Sequence, residues 1–196
     1  MGRVHFTSTA CCVAAAALLV CFSAQAQNIT TRPADGDAPA TTKGSAAAQL
    51  ARGDRKFIEE AAMGGMAEVE LGKLAQLKGS SEQVKQFGAR MVEDRGRAND
   101  ELKQLAQIKG LDVPAVPDKW LLREIDKLYK FTGAEFDRQY VAYMLADQRK
   151  DVSEFKKASE TAKDSDVKAF AGKTLPTLQE HLKLAQSLNE SVKSIK

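Results

Sequence analysis

Four long stretches of this 196-residue chain repeat apolar side chains at steps of three and four, which is the spacing of one face of an α-helix. These stretches cover about residues 54–78, 81–109, 133–161 and 165–191. No strand signal interrupts them. Four such stripes can bury one another, so the chain is predicted to be all-α and to fold as a four-helix bundle.

Capping residues and helix breakers separate the stripes. Asp54 is predicted to cap the first helix and Gly79 to end it. Ser80 with Gln83 has the pattern of a capping box for the second helix, which Gly110 closes.

The connection between the second and third stripes contains a further helix signal. Prolines in the segment 111–118 interrupt the helical pattern, and Asp118 is predicted to cap a short helix that runs to Phe131. Thr132 with Glu135 then forms a second capping box at the start of the third stripe. The bundle is therefore predicted to carry a short extra helix in its crossover.

Two adjacent glycines, Gly64 and Gly65, lie inside the first stripe. Each is expected to weaken the helix by roughly 1 kcal/mol relative to alanine. Close approach of a neighbouring helix is the predicted reason for their presence.

Residues 1–26 are predicted to be a cleavable export signal. Arg3 is the single charge in this segment, residues 13–22 form an apolar run, and Ala24-Gln25-Ala26 fits the cleavage site of a signal peptidase. The mature protein is therefore expected in the periplasm.

The three cysteines of the chain, Cys11, Cys12 and Cys21, all lie inside this segment. The mature protein would then contain no disulfide, thiolate zinc site or cysteine nucleophile. A lipid anchor on Cys21 is a rival interpretation, but the branched Val20 stands where a lipoprotein signal has a small residue. We expect cleavage after the segment instead.

Residues 27–52 are rich in Thr, Ala, Pro, Asp, Gly and Ser and have hardly any large apolar side chain. Such a composition predicts a disordered linker, which leaves 53–194 as the bundle domain.

The chain carries 29 Lys and Arg against 26 Asp and Glu, and these charges alternate along every predicted helix. We therefore expect no nucleic-acid partner, and the mature chain has no apolar run that predicts a transmembrane span.

Each stripe also carries ionisable side chains, and four of them are candidate metal ligands: Glu68, Asp94, Asp147 and His181. Glu68 and Asp94 lie equally far from the predicted turn at Ser81, and Asp147 and His181 lie equally far from a turn near 164. The four side chains can therefore share one layer. An oxygen-rich set of this kind suits a divalent metal ion.

Arg95 argues for a different use of the same layer. Its positive charge would compete with a metal ion, and a pair of Arg95 with Glu68 or Asp147 would satisfy these acids without one. We favour this interpretation, in which a salt-bridged polar layer fixes the register of the helices.

The chain resembles a bacterial family of exported, ferritin-like proteins, domain of unknown function number 4142, whose members are often labelled outer-membrane proteins. The stretches that carry the resemblance are residues 57–68 (FIEEAAMGGMAE), 91–94 (MVED), 133–137 (GAEFD) and 174–182 (TLPTLQEHL). The resemblance covers roughly residues 54–190. It implies an exported ferritin-like bundle, and the family has no agreed activity.

The same resemblance draws attention to two missing histidines. Many members of the family have Asp-His where this chain has Asp94-Arg95 and Asp147-Gln148. A ferritin-type di-iron centre needs Glu-x-x-His on two helices, whereas Leu178 stands three residues before His181. Arg95 and Gln148 therefore argue against a di-iron site.

No pattern in the sequence points to a catalytic site or an organic cofactor. Gly64-Gly65 lies inside a helical stripe rather than in a phosphate-binding loop, and no serine is placed as a nucleophile beside His181. The leading hypothesis is a non-catalytic periplasmic bundle, with a role in envelope stress implied by the family resemblance alone. The alternatives are mononuclear binding or handling of a metal ion in the bundle core, and a protein-interaction module that self-associates through its helix faces.

Overall fold

Five α-helices follow one another in the computed structural model, which describes residues 50–194. They are α1 (Arg52–Lys78), α2 (Glu82–Ile108), α3 (Lys119–Tyr129), α4 (Gly133–Thr161) and α5 (Ser165–Ser194). No strand occurs between residues 50 and 194, so the all-α prediction is confirmed. None of the helices in this range has both the length and the apolar character needed to cross a bilayer. The predicted export signal, with its three cysteines, and residues 27–49 of the predicted linker lie outside the described residues.

The helices pair as two hairpins. α1 packs along α2, and α4 packs along α5; the hairpins then meet through α1 against α4 and α2 against α5. The short helix α3 lies in the crossover and contacts α1 and α4. The predicted four-helix bundle with an extra crossover helix is therefore confirmed.

Ordered packing already includes residues that the sequence assigned to the linker, Leu50 and Arg52. α1 starts at Arg52, and Leu50 is already buried among apolar side chains of the bundle. Asp54 does not cap α1, because Ala51 occupies the capping position and makes no side-chain hydrogen bond there. The Asp54 carboxylate instead accepts the backbone N–H groups of Lys163 and Asp164 at 2.9 and 2.7 Å, in the turn between α4 and α5.

A buried aspartate has the same role at the opposite end of the bundle. Asp137, near the start of α4, accepts the backbone N–H of Ser80 at 2.9 Å, its hydroxyl at 2.7 Å and the backbone N–H of Ser81 at 2.8 Å. The predicted capping box at Ser80 is therefore wrong, and Ser81 caps α2 through a bond from Val84 N–H at 3.4 Å. Asp54 and Asp137 thus each tie one hairpin to the turn of the other.

Two of the remaining cap predictions give different results. Asp118 caps α3 as predicted and accepts the backbone N–H groups of Trp120 and Leu121, both at 2.8 Å. Thr132 precedes α4 but makes no side-chain capping bond, so that capping box is not formed. The extended backbone of Thr132 is followed by Gly133 with a φ of 59°, a conformation that favours glycine.

Glycines set the close approach of α1 and α2, though the decisive pair was not the predicted one. A Cβ on Gly72 would lie 2.5 Å from the carbonyl oxygen of Gly88, and a Cβ on Gly88 would lie 2.6 Å from that of Gly72. Gly65 faces Asn99 of α2 as expected, but Gly64 has open space around it. The close helix contact therefore centres on Gly72 and Gly88.

The apolar core is divided into two clusters along the bundle. The upper cluster lies near the α1–α2 turn and contains Leu71, Leu74, Ala75, Val84, Phe87, Met91, Leu128, Phe136, Tyr140, Val141, Met144, Leu145, Ala185, Leu188 and Val192. The lower cluster contains Leu50, Ile58, Ala62, Leu102, Leu105, Ala106, Leu111, Phe155, Ala158, Val167, Phe170, Ala171 and Leu178. Between the upper and the lower cluster, each of the four long helices carries at least one buried polar side chain. They are Glu68 on α1, Arg95 on α2, Gln148 and Asp151 on α4, and His181 on α5.

Candidate functional site

Arg95 is the centre of the polar region between the two apolar clusters. It projects from α2, is only 2% exposed, and pairs through Nε with Glu68 of α1 and through an amino group with Asp151 of α4. Gln148, one turn before Asp151, donates its side-chain N–H to the other oxygen of Glu68. We call Glu68, Arg95, Gln148 and Asp151, together with the neighbouring half-buried Asp147, the polar layer.

Glu68 Oε2 and Arg95 Nε are buried and have each other as ion-pair partners. Oε1 of Gln148 in the layer and the hydroxyl of Tyr140 in the upper cluster are also buried, and they have neither a hydrogen-bond nor an ion-pair partner within residues 50–194. Burial and the nearby charge of Glu68 raise the pKa of Tyr140, so the hydroxyl stays neutral. Buried polar groups of this kind add to the free-energy cost of the layer.

The layer contains more carboxyl groups than one guanidinium can neutralise. Burial raises the pKa of Glu68 well above its usual value; Arg95 opposes this shift, and the charges of Asp151 and Asp147 add to it. Burial and the charge of Asp151 likewise raise the pKa of Asp147 to about 7, against the opposing effect of Arg95 and Lys150. The layer therefore retains a proton near neutral pH, in addition to the charge of Arg95.

Arg95 keeps its charge despite its position. Burial by itself would lower the pKa of Arg95, but the charges of Glu68 and Asp151 outweigh that effect and raise it. A guanidinium held between two carboxylates is thus the permanent cation of the bundle interior.

A second polar contact joins α2 to α5 beside this layer. The Nε2 atom of His181 lies 2.9 Å from a carboxylate oxygen of Asp94, and Arg90 and Arg97 bind the same carboxylate from the surface. Arg90 also reaches Glu180 of α5 at 2.7 Å. We call this contact the Asp94–His181 pair.

The Asp94–His181 pair has a defined protonation state. Burial lowers the pKa of His181, and the positive charge of Arg95 lowers it further, while Asp94 opposes both. Burial would raise the pKa of Asp94, but hydrogen bonds from His181, Arg97 and Arg90 prevail and lower it. A neutral imidazole therefore donates its Nε2–H to an ionised carboxylate, and Nδ1 of His181 has no partner among the described residues.

The four predicted metal ligands do not converge on one point. Glu68 and Asp147 belong to the polar layer, whereas Asp94 and His181 bind each other on a different pair of helices. Between residues 50 and 194, no group of three or more His, Asp or Glu side chains is arranged to hold a metal ion. The predicted pairing of Arg95 with Glu68 is confirmed, and its second partner is Asp151 rather than Asp147.

A ferritin-type di-iron centre does not fit these residues. Both oxygens of Glu68 are engaged, one by Arg95 and one by Gln148, and the single described histidine is held by Asp94. Glu70, the next acidic residue after Glu68 in the sequence, lies on the surface and pairs with Lys73 at 2.7 Å. Within residues 50–194, the set of inward carboxylates and histidines that such a centre requires is therefore not present.

Sequence reasoning missed two members of the layer as partners. Asp151 lies on the apolar stripe of α4, one turn after Asp147, and this i, i+4 spacing was the available signal. Gln148 was noted only as the replacement of a histidine. Gln148 directly follows Asp147 in the sequence. Only the packing of α4 against α1 shows that its side chain reaches Glu68.

Residues 39–188 match a protein family described as Domain of unknown function (DUF4142). The chain belongs to this family. The match confirms the resemblance predicted from the sequence stretches above. No curated protein shows a significant sequence match to this DUF4142 protein.

Solved structures share the helical fold of this DUF4142 protein. A DUF305 fragment from Deinococcus radiodurans has a TM-score of 0.64 at 9% identity, over 72% of this chain and 98% of that one. CopM in its Cu(I)-bound form has a TM-score of 0.59 at 16% identity, over 70% and 96% of the two chains. A conserved hypothetical protein of Mycobacterium tuberculosis has a TM-score of 0.55 at 16% identity, over 79% and 95%. At these identities the likeness shows the fold alone.

Proposed function

We propose that this protein is a non-catalytic helical-bundle protein of the periplasm, and that its polar layer is a structural ion-pair network rather than a metal centre. The observation that carries the proposal is the position of Arg95. Its guanidinium is bound by Glu68 and Asp151 from two other helices, where a metal ion would otherwise supply the positive charge. The network joins three of the four long helices at the boundary between the two apolar clusters.

Burial supports the non-catalytic part of the proposal. Glu68, Gln148 and His181 are each 0% exposed, so a substrate cannot reach their side chains without opening the bundle. Their perturbed protonation has a structural cause, namely burial and the sharing of one Arg95 among several acids. A polar network of this kind is retained to fix which side chains face one another.

Metal titration tests the proposal directly. Isothermal calorimetry of the purified bundle with Zn²⁺, Mn²⁺ and Fe²⁺ should show no stoichiometric binding. The double variant Arg95→His with Gln148→His should gain affinity, because it removes the competing cation and adds two imidazoles to an acidic layer. Arg123→His with Gln104→His, the same two residue types at exposed positions outside the polar layer and the Asp94–His181 pair, serves as the matched control. One tightly bound metal ion per wild-type chain would overturn the proposal.

Metal binding at the Asp94–His181 pair is the second candidate function. It is favoured by Nδ1 of His181, which is buried and has no partner in the described structure, and by the fold shared with CopM, whose structure contains Cu(I). An imidazole nitrogen is a good ligand for copper. Binding of Cu(I) by wild-type protein that disappears in His181→Gln would favour this candidate over the structural one. Binding unchanged in His181→Gln would place the metal elsewhere.

Export is part of the proposal and has its own test. The sequence pattern of residues 1–26 supports secretion with cleavage after Ala26. Fractionation of cells that produce the chain should place a shortened protein in the periplasm, with Gln27 as its first residue by mass spectrometry. Full-length protein in the cytoplasm, or a lipid-modified Cys21, would contradict it.

A further inference from the structure

A groove of about 530 Å³ lies between the crossover helix α3 and α4. Its floor is apolar and consists of Leu128 and Phe131 from the α3 side and Ala142 and Tyr143 from α4. Its volume lies within the range of about 300–1,000 Å³ that is typical of small-molecule sites. The small side chain of Ala142 keeps the groove open on the α4 side.

Two lysines border this apolar floor. The ammonium of Lys130 has no hydrogen-bond or ion-pair partner in the described part of the chain, and Lys127 binds Glu124 at 2.6 Å. Glu124 is largely covered, with 20% of its side chain exposed, whereas 64% of the Lys127 side chain is exposed. The groove therefore presents one free cation and one shared cation next to buried apolar surface.

We propose that this groove binds a single-chain anionic amphiphile, a long-chain carboxylate, with its head group on Lys130 and Lys127 and its hydrocarbon chain on the apolar floor. An ammonium–carboxylate contact supplies the orientation, and burial of the chain supplies most of the affinity. The site uses no residue of the polar layer, so it goes beyond the structural function proposed above.

The shape of the site favours a free amphiphile over a membrane surface. A concave floor between two helices accommodates one hydrocarbon chain, whereas a bilayer would meet the outward side of α3. That side carries Lys119 and Arg123 but also the exposed Asp126, which anionic head groups would repel. Glu124 also lines the groove, but Lys127 pairs with its carboxylate, so the head group of a single amphiphile meets no unpaired acid there.

Trp120 provides the measurement. It is the single tryptophan of the chain, is 53% exposed, and lies seven residues before Lys127, on the same side of α3. The purified mature protein is titrated with dodecanoate below its micelle concentration, and Trp120 fluorescence and calorimetric heat are followed. Dodecylamine, with the same chain and the opposite charge, is titrated in parallel, as are vesicles of anionic phospholipid.

The expected result is saturable binding of one dodecanoate per chain, with weaker or no binding of dodecylamine. Lys127→Gln with Lys130→Gln should weaken dodecanoate binding at least about tenfold, as expected for the loss of a charged hydrogen bond. Ala142→Phe should also weaken it by filling the groove. The matched control is Lys119→Gln with Arg123→Gln, which removes the same charge from the outer side of α3 and should change the affinity less than about twofold.

Several outcomes would overturn the proposal. They are the absence of saturable dodecanoate binding, equal losses in the two double variants, equal affinity for dodecylamine, and binding to vesicles alone. All the substituted side chains lie on the surface, and far-UV circular dichroism establishes that each variant is folded. The metal titrations of the polar layer are independent of every one of these results.

Discussion

Replacing Arg95 by Met tests the polar layer most directly. The substitution keeps an unbranched side chain but removes the positive charge between Glu68 and Asp151. Removing one member of a buried ion pair commonly costs about 3–5 kcal/mol, because the remaining charge is left without a partner in a poorly solvated position. Arg95 is 2% exposed and Glu68 is 0% exposed, so we expect a loss in this range at pH 8.

The loss of stability caused by Arg95→Met should be larger at high pH than at low pH. The pKa of Glu68 is already raised by burial, and Arg95 is the group that lowers it. Without Arg95 this folded-state pKa rises further. A carboxyl group whose folded pKa lies above its unfolded value loses stability as pH rises through the folded value. The deficit of Arg95→Met relative to wild type should therefore be smaller at pH 5 than at pH 8.

Urea unfolding followed by far-UV circular dichroism measures both effects. Arg138→Met is the matched control, since Arg138 pairs with Glu135 at 2.6 Å on the surface, where both side chains are more than 40% exposed. Such a pair contributes less than about 1 kcal/mol. Glu68→Gln in the Arg95→Met background should restore part of the stability at pH 8. A loss for Arg95→Met no greater than that for Arg138→Met would refute the buried ion-pair network.

Further predictions concern titration and packing. Asp147→Asn should be more stable than wild type by about 1 kcal/mol or more at pH 8, because the pKa of Asp147 is raised to about 7. At pH 4 the difference in stability between the two proteins should be smaller. Urea unfolding at pH 8 and at pH 4 measures both differences. His181→Gln should reduce the loss of stability as pH falls below about 6.5, because a buried imidazole with a lowered pKa resists protonation in the folded state. Gly64→Ala should stabilise the protein by about 0.5–1 kcal/mol, because open space surrounds Gly64. Gly72→Ala should destabilise it by about 1–3 kcal/mol, because the new Cβ would meet the carbonyl of Gly88. Thermal unfolding measures both variants, and a change of stability in the same direction for both would contradict this prediction.

The helices were predictable because their signals are local. Apolar residues at steps of three and four define each buried face, and the breaks at Gly79 and before Asp118 are set by residues at the breaks themselves. The caps at Asp54 and Ser80 were wrong for the opposite reason. Their partners, Lys163 with Asp164 and Asp137 respectively, are far away in the sequence, so the bonds exist only when the hairpins pack together.

The polar layer was predictable in its level along the bundle but not in its pairings. Equal distances from the hairpin turns place Glu68 and Asp94 at one level, as they do Asp147 and His181. Which acid reaches Arg95 depends on the rotation of each helix about its axis and on side-chain reach. The structure selects Asp151 on this basis, and the sequence spacing alone allows Asp147 equally well.

The buried charges also restrict the register of the helices. A slip of α2 by one turn, about 5.4 Å, would bring Met91 or Asn99 opposite Glu68 in place of Arg95. In the slip that brings Met91 opposite Glu68, Arg95 would move toward the lower apolar cluster and away from both of its carboxylate partners, at a cost of several kcal/mol. Apolar stripes alone discriminate poorly against such a slip, because Leu, Met and Phe can repack against one another. The single guanidinium shared by Glu68 and Asp151 therefore specifies one alignment of α1, α2 and α4, and the Asp94–His181 pair extends this specification to α5.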